Sequence, residues 1–380
     1  MKKSRLPARA DAGGRRGGTL RLMAVAAVAS LLVAACSNGS GGSSGGGDVT
    51  FKSTDTSVTP SGAKTDDVKG VKMRFLNQIA GSPFYSRVEA GMKAAAKDLG
   101  IKDVTMTGPS AVSSAQQVQT VNTWITQGVD VIAMAATDPA AMAPSIKRAV
   151  DKGILVITWD ADAPESERSL FVNYWDPEKG PQAVWDSLLK EMPADTTGKV
   201  AISTPSLSSK THSGWVQAIK DYAKTKSPNI EFLPDFVSGG DQPAAANKAK
   251  QILQSNKDVV ALLSVDAAGT PANAQAIKEL GLTGKVKSTG LSTPGQMKPW
   301  VESGQVPEFV LWDPAQAGYA TVAMAADLLE GKTIENGSYP VSTSDKFDVI
   351  VKKALFGSGP QAIVGSALVF DKSNLADYPF

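Results

Sequence analysis

From residue 71 onward the chain alternates between two patterns of apolar and polar positions. Short continuous apolar runs, such as 71–76, 129–134 and 154–158, are each followed by a longer stretch whose apolar residues recur three and four positions apart. The stretch 83–99 is typical: Val88, Met92, Ala95, Ala96 and Leu99 share a helical face, and Gly100 stops it. The beat predicts strands at 71–76, 104–106, 129–134 and 154–158, with helices at 83–99, 113–127 and 139–151 between them. It resumes with helix 178–191, strand 199–202, helix 212–226, strand 230–236, helix 243–254, strand 259–263 and helix 270–280. Strand 286–289, helix 295–303, strand 308–312 and helix 315–330 complete it. Apolar runs without polar alternation fit parallel strands covered on both faces, and glycines at 100, 128 and 153 fit helix ends. One sheet stops growing well short of this many strands. The expectation is therefore an α/β fold of two doubly wound parallel-sheet lobes joined by a hinge. The first lobe is expected to hold residues 71–173 plus about 312–336, the second 174–311 plus about 337–380. Two facing lobes bring the carboxyl ends of both sets of strands around one cleft, where ligands of such sheets bind.

The first 70 residues follow a different plan. Lys2, Lys3, Arg5, Arg9, Arg15, Arg16 and Arg21 precede an apolar stretch over 22–35 that ends at Cys36, the only cysteine. The stretch is short for a membrane-spanning helix, and Ser/Gly-rich sequence follows at once. Residues 1–35 are read as a secretory signal peptide, with Cys36 as the lipidated first residue of the mature chain. Residues 36–70, rich in Gly, Ser, Thr, Lys and Asp, are read as a flexible tether, since they hold too little apolar surface to offset ordering. The expected location is extracytoplasmic, lipid-anchored to the outer face of the cell membrane or periplasmic, with membrane contact through the anchor only.

Charge changes meaning once that leader is set aside. The whole chain has 39 Lys and Arg against 37 Asp and Glu, but from Cys36 onward the count is 32 against 36. A mildly acidic balance argues against nucleic acid, which calls for a concentrated basic face. One cysteine permits no intramolecular disulfide. About 345 mature residues suffice for two cores, and a monomer is expected.

The loops after the strands supply the candidate chemistry. After the first strand come Asn77-Gln78-Ile79-Ala80-Gly81-Ser82-Pro83-Phe84-Tyr85. Pro83 suits a first helical turn, so Phe84 and Tyr85 either offer an apolar platform for a sugar ring or pack inward. Trp159-Asp160-Ala161-Asp162 ends another strand, with Arg168 close behind. A carboxylate there accepts from adjacent hydroxyls, and a guanidinium fixes its geometry; a helix cap or solvated turn is the plainer reading. In the second half, a long polar loop runs from Ser203 to His212, the only histidine, with Trp215 serving either as core or as a stacking surface. Asp266 follows strand 259–263, and Trp312-Asp313 lies at an expected lobe crossover. Such a lining of Asp, Ser/Thr, Arg and aromatic side chains suits a small neutral polyol. It offers no Gly-rich phosphate cradle and no paired ammonium and carboxylate sites.

These residues carry a resemblance. Ser82-Pro83-Phe84-Tyr85 before Gly91, Gly128-Val129-Asp130-Val131-Ile132 and Gly153 through Asp162 resemble the type 1 family of extracytoplasmic solute-binding proteins that serve ABC sugar importers. Thr158 through Asp162, Ser203-Thr204-Pro205, Val265-Asp266-Ala267, Leu311-Trp312-Asp313 and Leu368 through Asn374 resemble the group containing rhamnose-binding and autoinducer-2-binding proteins. The resemblance spans roughly residues 71–380 and implies a periplasmic-binding-protein architecture, an ABC permease as partner, and Asn77, Asp160, Asp266 and Asp313 as ligand positions. Thr211-His212 stands where autoinducer-2 proteins carry an Asp-Gln pair, so a pentose, rhamnose or another deoxy-hexose is implied ahead of a furanone.

Other classes fit less well. Gly-x-Ser-x-Gly, His-Glu-x-x-His and Walker motifs are missing, and a lone histidine rules out a histidine-rich metal site, so no enzyme, metal or cofactor is expected. A repressor of similar architecture would begin with a helix-turn-helix, where this chain has its export signal. A lipoprotein that reports its ligand to a membrane receptor stays open as the alternative. The expected ligand set is Asn77, Phe84, Tyr85, Asp160, Asp162, Arg168, His212, Asp266, Trp312 and Asp313.

Overall fold

Residues 50–53, 57–61, 65–341, 348–353 and 359–380 are described by a computed structural model. The signal segment and Cys36 lie outside the described residues. In chain order the elements open with β1 (Thr50–Ser53), β2 (Ser57–Ser61), β3 (Lys72–Leu76), α1 (Pro83–Leu99), β4 (Asp103–Thr107) and α2 (Ser114–Gln127). Next come β5 (Val131–Met134), α3 (Pro139–Asp151), β6 (Leu155–Trp159), β7 (Leu170–Asn173), α4 (Lys179–Leu189), β8 (Gly198–Thr204) and α5 (Lys210–Lys226). They continue through β9 (Ile230–Phe232), β10 (Phe236–Val237), α6 (Gln242–Ser255), β11 (Val259–Ser264), α7 (Gly269–Glu279), β12 (Lys287–Gly290) and α8 (Pro294–Glu302). The last are β13 (Phe309–Leu311), α9 (Pro314–Leu329), β14 (Ile334–Glu335), β15 (Gly337–Pro340), β16 (Asp348–Lys353), β17 (Pro360–Val364) and β18 (Leu368–Phe370).

Local signals explain the helix ends. Ser113, Asp138 and Asp241 accept hydrogen bonds from the backbone N–H groups of Gln116, Ala141 and Ala244 and so cap α2, α3 and α6. Gly100, at φ 72°, closes α1 in the left-handed region that glycine enters without steric cost. The expected strand 230–236 divides into β9 and β10, because Pro234 between them has no N–H for a ladder.

The two expected α/β lobes are present. One is built on an eight-stranded sheet in the order β15-β16-β17-β7-β6-β5-β3-β4, the other on β10-β8-β11-β12 with β9 also on β8. Strands β5, β6 and β7 are buried at every position, as their apolar runs require. The second lobe is extended by the antiparallel pair β13 and β18, joined through a bridge from Leu291 to Val310.

Three differences from the sequence expectation stand out. Strands β15, β16 and β17 belong to the first lobe's sheet, where β17 lies parallel to β7, instead of the second lobe. A strand–helix beat carries no sign of such antiparallel strands added at one end of the sheet. The chain therefore crosses between lobes after β7, after β13 and again between β17 and β18. Within the span read as tether, β1 and β2 pair with each other, and β2 also pairs with β14. Strand β7 followed β6 too closely to show in the periodicity.

Helix α9 returns to the first lobe and lies against α1. Backbones approach so closely that a Cβ on Gly91 would sit 1.9 Å from the Ala315 carbonyl oxygen, and one on Gly318 would sit 2.1 Å from that of Val88. This contact ties the second crossover to the helix that carries Phe84 and Tyr85.

Candidate functional site

The carboxyl ends of β3, β6, β8 and β11 and the second crossover surround one cavity of about 570 Å³, counting space continuous with solvent. The first lobe contributes Gln78, Phe84, Tyr85 and Asp160; the second contributes Pro205, His212, Trp215 and Asp266; Trp312 comes from the second crossover. None of the lining residues is Lys or Arg.

Aromatic rings form its floor. Trp312 stacks on Tyr174 with centroids 4.4 Å apart, and Phe84 meets both edge-on. Trp175 stacks on Trp215 at 4.9 Å, and both present edges to Trp312. The cluster spans the first two crossovers, so the hinge side of the cleft is packed with rigid, flat surfaces.

Asp160 stands at one side of the cavity. It is the only described non-glycine residue with positive φ, at 62°, in the left-handed region that Asp tolerates better than most residues. Its Oδ2 accepts from the Tyr85 hydroxyl at 2.7 Å, and that hydroxyl also lies 3.3 Å from Gln78 Oε1. Tyr174 presents its hydroxyl to the same carboxylate outside regular hydrogen-bond geometry. Burial pushes the Asp160 carboxyl up to about 6, only partly opposed by Tyr174 and Tyr85. Both tyrosine hydroxyls are pushed well above their usual value, first by burial and then by the Asp160 charge.

Asp266 faces it from the second lobe. Oδ1 accepts from the N–H groups of Ala268 and Gly269 at 3.0 Å each, in the turn that leads into α7, and Oδ2 accepts from Ser238 at 2.5 Å and Ser264 at 3.3 Å. Burial raises its pKa against these four donors. His212 completes the polar lining: its Nδ1 lies 2.7 Å from Ser209 Oγ, and burial lowers its pKa to about 3, so the ring is neutral. Buried donors without a protein partner also border the space, namely Gln78 Nε2, Trp215 Nε1 and Trp312 Nε1.

A family model described as a periplasmic binding protein domain matches residues 73–333. The chain belongs to this family. It is 26% identical over 270 residues to a D-ribose/D-allose-binding protein of Pseudomonas aeruginosa, covering 67% of this chain and 80% of that one. Among solved structures it is similar to LsrB from Clostridium saccharobutylicum in complex with AI-2, at 25% identity and a TM-score of 0.74. That match covers 82% of this chain and 100% of LsrB. A sugar ABC transporter protein from Actinomyces odontolyticus is 28% identical with a TM-score of 0.63, covering 84% and 100% of the two chains. Periplasmic binding proteins are a non-catalytic class, and this chain is not an enzyme.

Within this binding-protein frame the expected ligand residues fall into two groups. Phe84, Tyr85, Asp160, His212, Asp266 and Trp312 line the cavity. Asp162, Arg168, Asn77 and Asp313 do not. Asp162 and Arg168 form a buried two-point ion pair beneath it, with Nε to Oδ1 at 2.7 Å and Nη2 to Oδ2 at 2.6 Å. Thr158 Oγ1 adds 2.5 Å to the same carboxylate, and Arg168 Nη1 reaches the Pro360 carbonyl at 3.0 Å. This pair fastens the end of β6 to β17, a neighbour invisible before β17 was placed. Asn77 is packed against Gly108, where a Cβ would lie 1.5 Å from its side-chain amide. Asp313 caps α9 through the Ala315 N–H and pairs in two-point fashion with Arg87 at 2.9 Å. Trp215, weighed as either core or stacking surface, is buried against Trp175 and borders the cavity. Gln78 lay inside the loop singled out beside Asn77, but which of the two borders the cavity depends on how the chain leaves β3 in the folded lobe. Ser209 and Ser238 gave no signal in a sequence rich in serine.

The two lobes also touch directly at the rim. Thr211 Oγ1 accepts from the Asp162 N–H at 2.8 Å, and Ser208 Oγ donates to the Thr137 carbonyl at 3.2 Å. Thr211 thus bridges the lobes while its neighbour His212 faces the cavity.

Proposed function

We propose that the protein binds a small neutral sugar, such as a pentose, rhamnose or another monosaccharide, in this cavity outside the cytoplasm and delivers it to an ABC permease. The observation that carries the reading is the lining itself: two carboxylates and several neutral donors on an aromatic floor, with no Lys or Arg among the described residues that line it. Carboxylates accept from sugar hydroxyls, aromatic faces cover the CH face of a ring, and neutral N–H groups serve oxygens that cannot donate. A phosphorylated or carboxylated ligand would bring a negative charge beside Asp160 and Asp266 with nothing to offset it. The names of the relatives, which bind ribose, allose or AI-2, agree with a small polyhydroxy ligand.

Asp160 is the main acceptor in this reading. Asp266 already holds four internal donors, whereas Tyr85 is the one described regular donor to Asp160. Phe84, Tyr85 and Trp312 supply the ring faces, and His212 and Gln78 supply donors. Asp162, Arg168, Asn77 and Asp313 hold the frame on which these groups stand. The lipid anchor at Cys36 would keep the protein at the membrane beside its permease.

The test is thermal unfolding against a panel of pentoses, hexoses, deoxy-hexoses, polyols, amino acids and sugar phosphates. A ligand that binds only the folded state raises the midpoint by mass action. A rise with one or two related neutral sugars supports the reading. A rise confined to amino acids or sugar phosphates overturns it.

A further inference from the structure

His212 is the only histidine of the chain and sits in the cavity wall at the first turn of α5. Ser209, three residues earlier, is the N-cap of the same helix, and its hydroxyl oxygen accepts from the His212 backbone N–H at 3.4 Å. The same oxygen lies 2.7 Å from His212 Nδ1. Both residues are buried, Ser209 at 1% exposure.

A hydroxyl has one proton to donate, and in this pocket among the described residues its one acceptor is Nδ1. Were Nδ1 itself protonated, two N–H groups would converge on the serine oxygen while its own buried hydrogen lacked an acceptor. That arrangement forfeits a hydrogen bond where burial makes an unmade one expensive. The alternative satisfies every group: Ser209 donates to Nδ1, and the ring proton resides on Nε2, the nitrogen left for the cavity.

We infer that Ser209 locks His212 as the Nε2–H tautomer, making this residue a specificity-determining hydrogen-bond donor to a ligand oxygen from the second lobe. The cap geometry is what does this, because the serine that starts α5 also orients the ring. The inference deepens the sugar-binding reading and rests on it for the identity of the ligand. It complements the rest of the lining: Asp160 and Asp266 read hydroxyl hydrogens, whereas His212 reads an oxygen lone pair. Burial keeps the ring neutral, so the donor carries no charge that would attract anionic ligands. A ligand that turned a second N–H toward His212 would oppose donor to donor and be rejected.

The lone histidine makes the test direct. In the ligand-free protein labelled with ¹⁵N-histidine, long-range proton–nitrogen correlation should show a single tautomer, with an unprotonated Nδ1 and a protonated Nε2, unchanged between pH 5 and 8. Ser209→Ala should shift both nitrogens toward an average of the two tautomers, and Ser209→Thr should retain the wild-type pattern. A protonated Nδ1, or averaged nitrogens in the wild type, overturns the inference. The second arm uses whichever of D-ribose, D-allose and L-rhamnose raises the melting midpoint. His212→Leu should weaken that sugar by about 10-fold or more, while His212→Gln, which keeps an N–H near the Nε2 position, should cost less than about 3-fold. Equal affinity in His212→Leu and wild type overturns the role in specificity. If none of the three binds, this arm moves to whichever neutral sugar of the wider panel raises the midpoint; if no sugar of that panel does, the sugar reading falls, and the ligand-free tautomer still decides for or against the lock.

Discussion

Replacing Asp162 by Ala separates framework from binding residue more sharply than any other change. The carboxylate and its Arg168 partner expose 7% and 1% of their side chains, so both charges are out of water. Asp162 accepts from Arg168 twice, from Thr158 and from the Ala163 N–H at 2.8 Å. Removing it leaves a guanidinium buried without its counter-charge, which costs about 3–5 kcal/mol in comparable sites. Urea unfolding followed by tryptophan fluorescence reads this loss. With an m-value of about 3 kcal/mol per M, the midpoint should fall by roughly 1–1.7 M. The increment of stability that a saturating sugar adds should be the same in variant and wild type, because the cavity lining is untouched. Asp162→Ala combined with Arg168→Met should recover part of the loss, since no buried charge is then left alone. A midpoint within about 0.3 M of wild type, accompanied by loss of the ligand increment, would refute the structural assignment and return Asp162 to the ligand.

Other perturbations probe the cavity, the helix contact and the leader. Asp160→Ala should weaken sugar binding by about 2–4 kcal/mol in calorimetry, and more than Asp266→Asn, because Asp160 has fewer internal donors; the reverse order would contradict that ranking. The Asp160 carboxyl is raised to about 6, so between about pH 4 and 6 the folded state holds a proton that the unfolded state has released. Its contribution to stability therefore falls as pH rises through that window, and Asp266, raised in the same direction, adds to it. Hydroxyl donation requires the carboxylate, so affinity should rise with pH to a plateau above about 7 and be roughly 10-fold weaker at pH 5, with Asp160→Asn flattening the profile. Gly91→Ala should lower stability by about 1–3 kcal/mol or more, since its new methyl would press on the Ala315 carbonyl, and an unchanged melting midpoint would refute the close helix contact. Cys36→Ser should abolish incorporation of radiolabelled palmitate in the producing cell and release the protein from the membrane fraction, whereas retained label would remove the anchor.

The sequence by itself determined the elements and their class. Continuous apolar runs of strand length fit strands covered on both faces, and Gly100, Gly128 and Gly153 fit helix ends through bonds made within a few residues. Both kinds of signal are local, which is why they survive without knowledge of the fold. It also determined which loops end the strands, and six of the ten expected ligand residues line the cavity for that reason. Tertiary structure decided what distant partners do to equal-looking side chains. Asp160 and Asp162 lie two residues apart on one loop, yet one faces the cavity and the other is consumed by Arg168 beneath it. Nothing local distinguishes them: the positive φ at Asp160 and the placement of β17 beside β7 do. Asp313 likewise looks like a carboxylate at a strand end, but α1 brings Arg87 against it. The third crossover and the hairpin of β15 and β16 were hidden because antiparallel additions to a parallel sheet obey no strand–helix beat. The role of Ser209 needed the ring of His212 placed over its hydroxyl. Such pairings depend on where two segments meet in space, and that geometry is a property of the packed core and not of either segment alone.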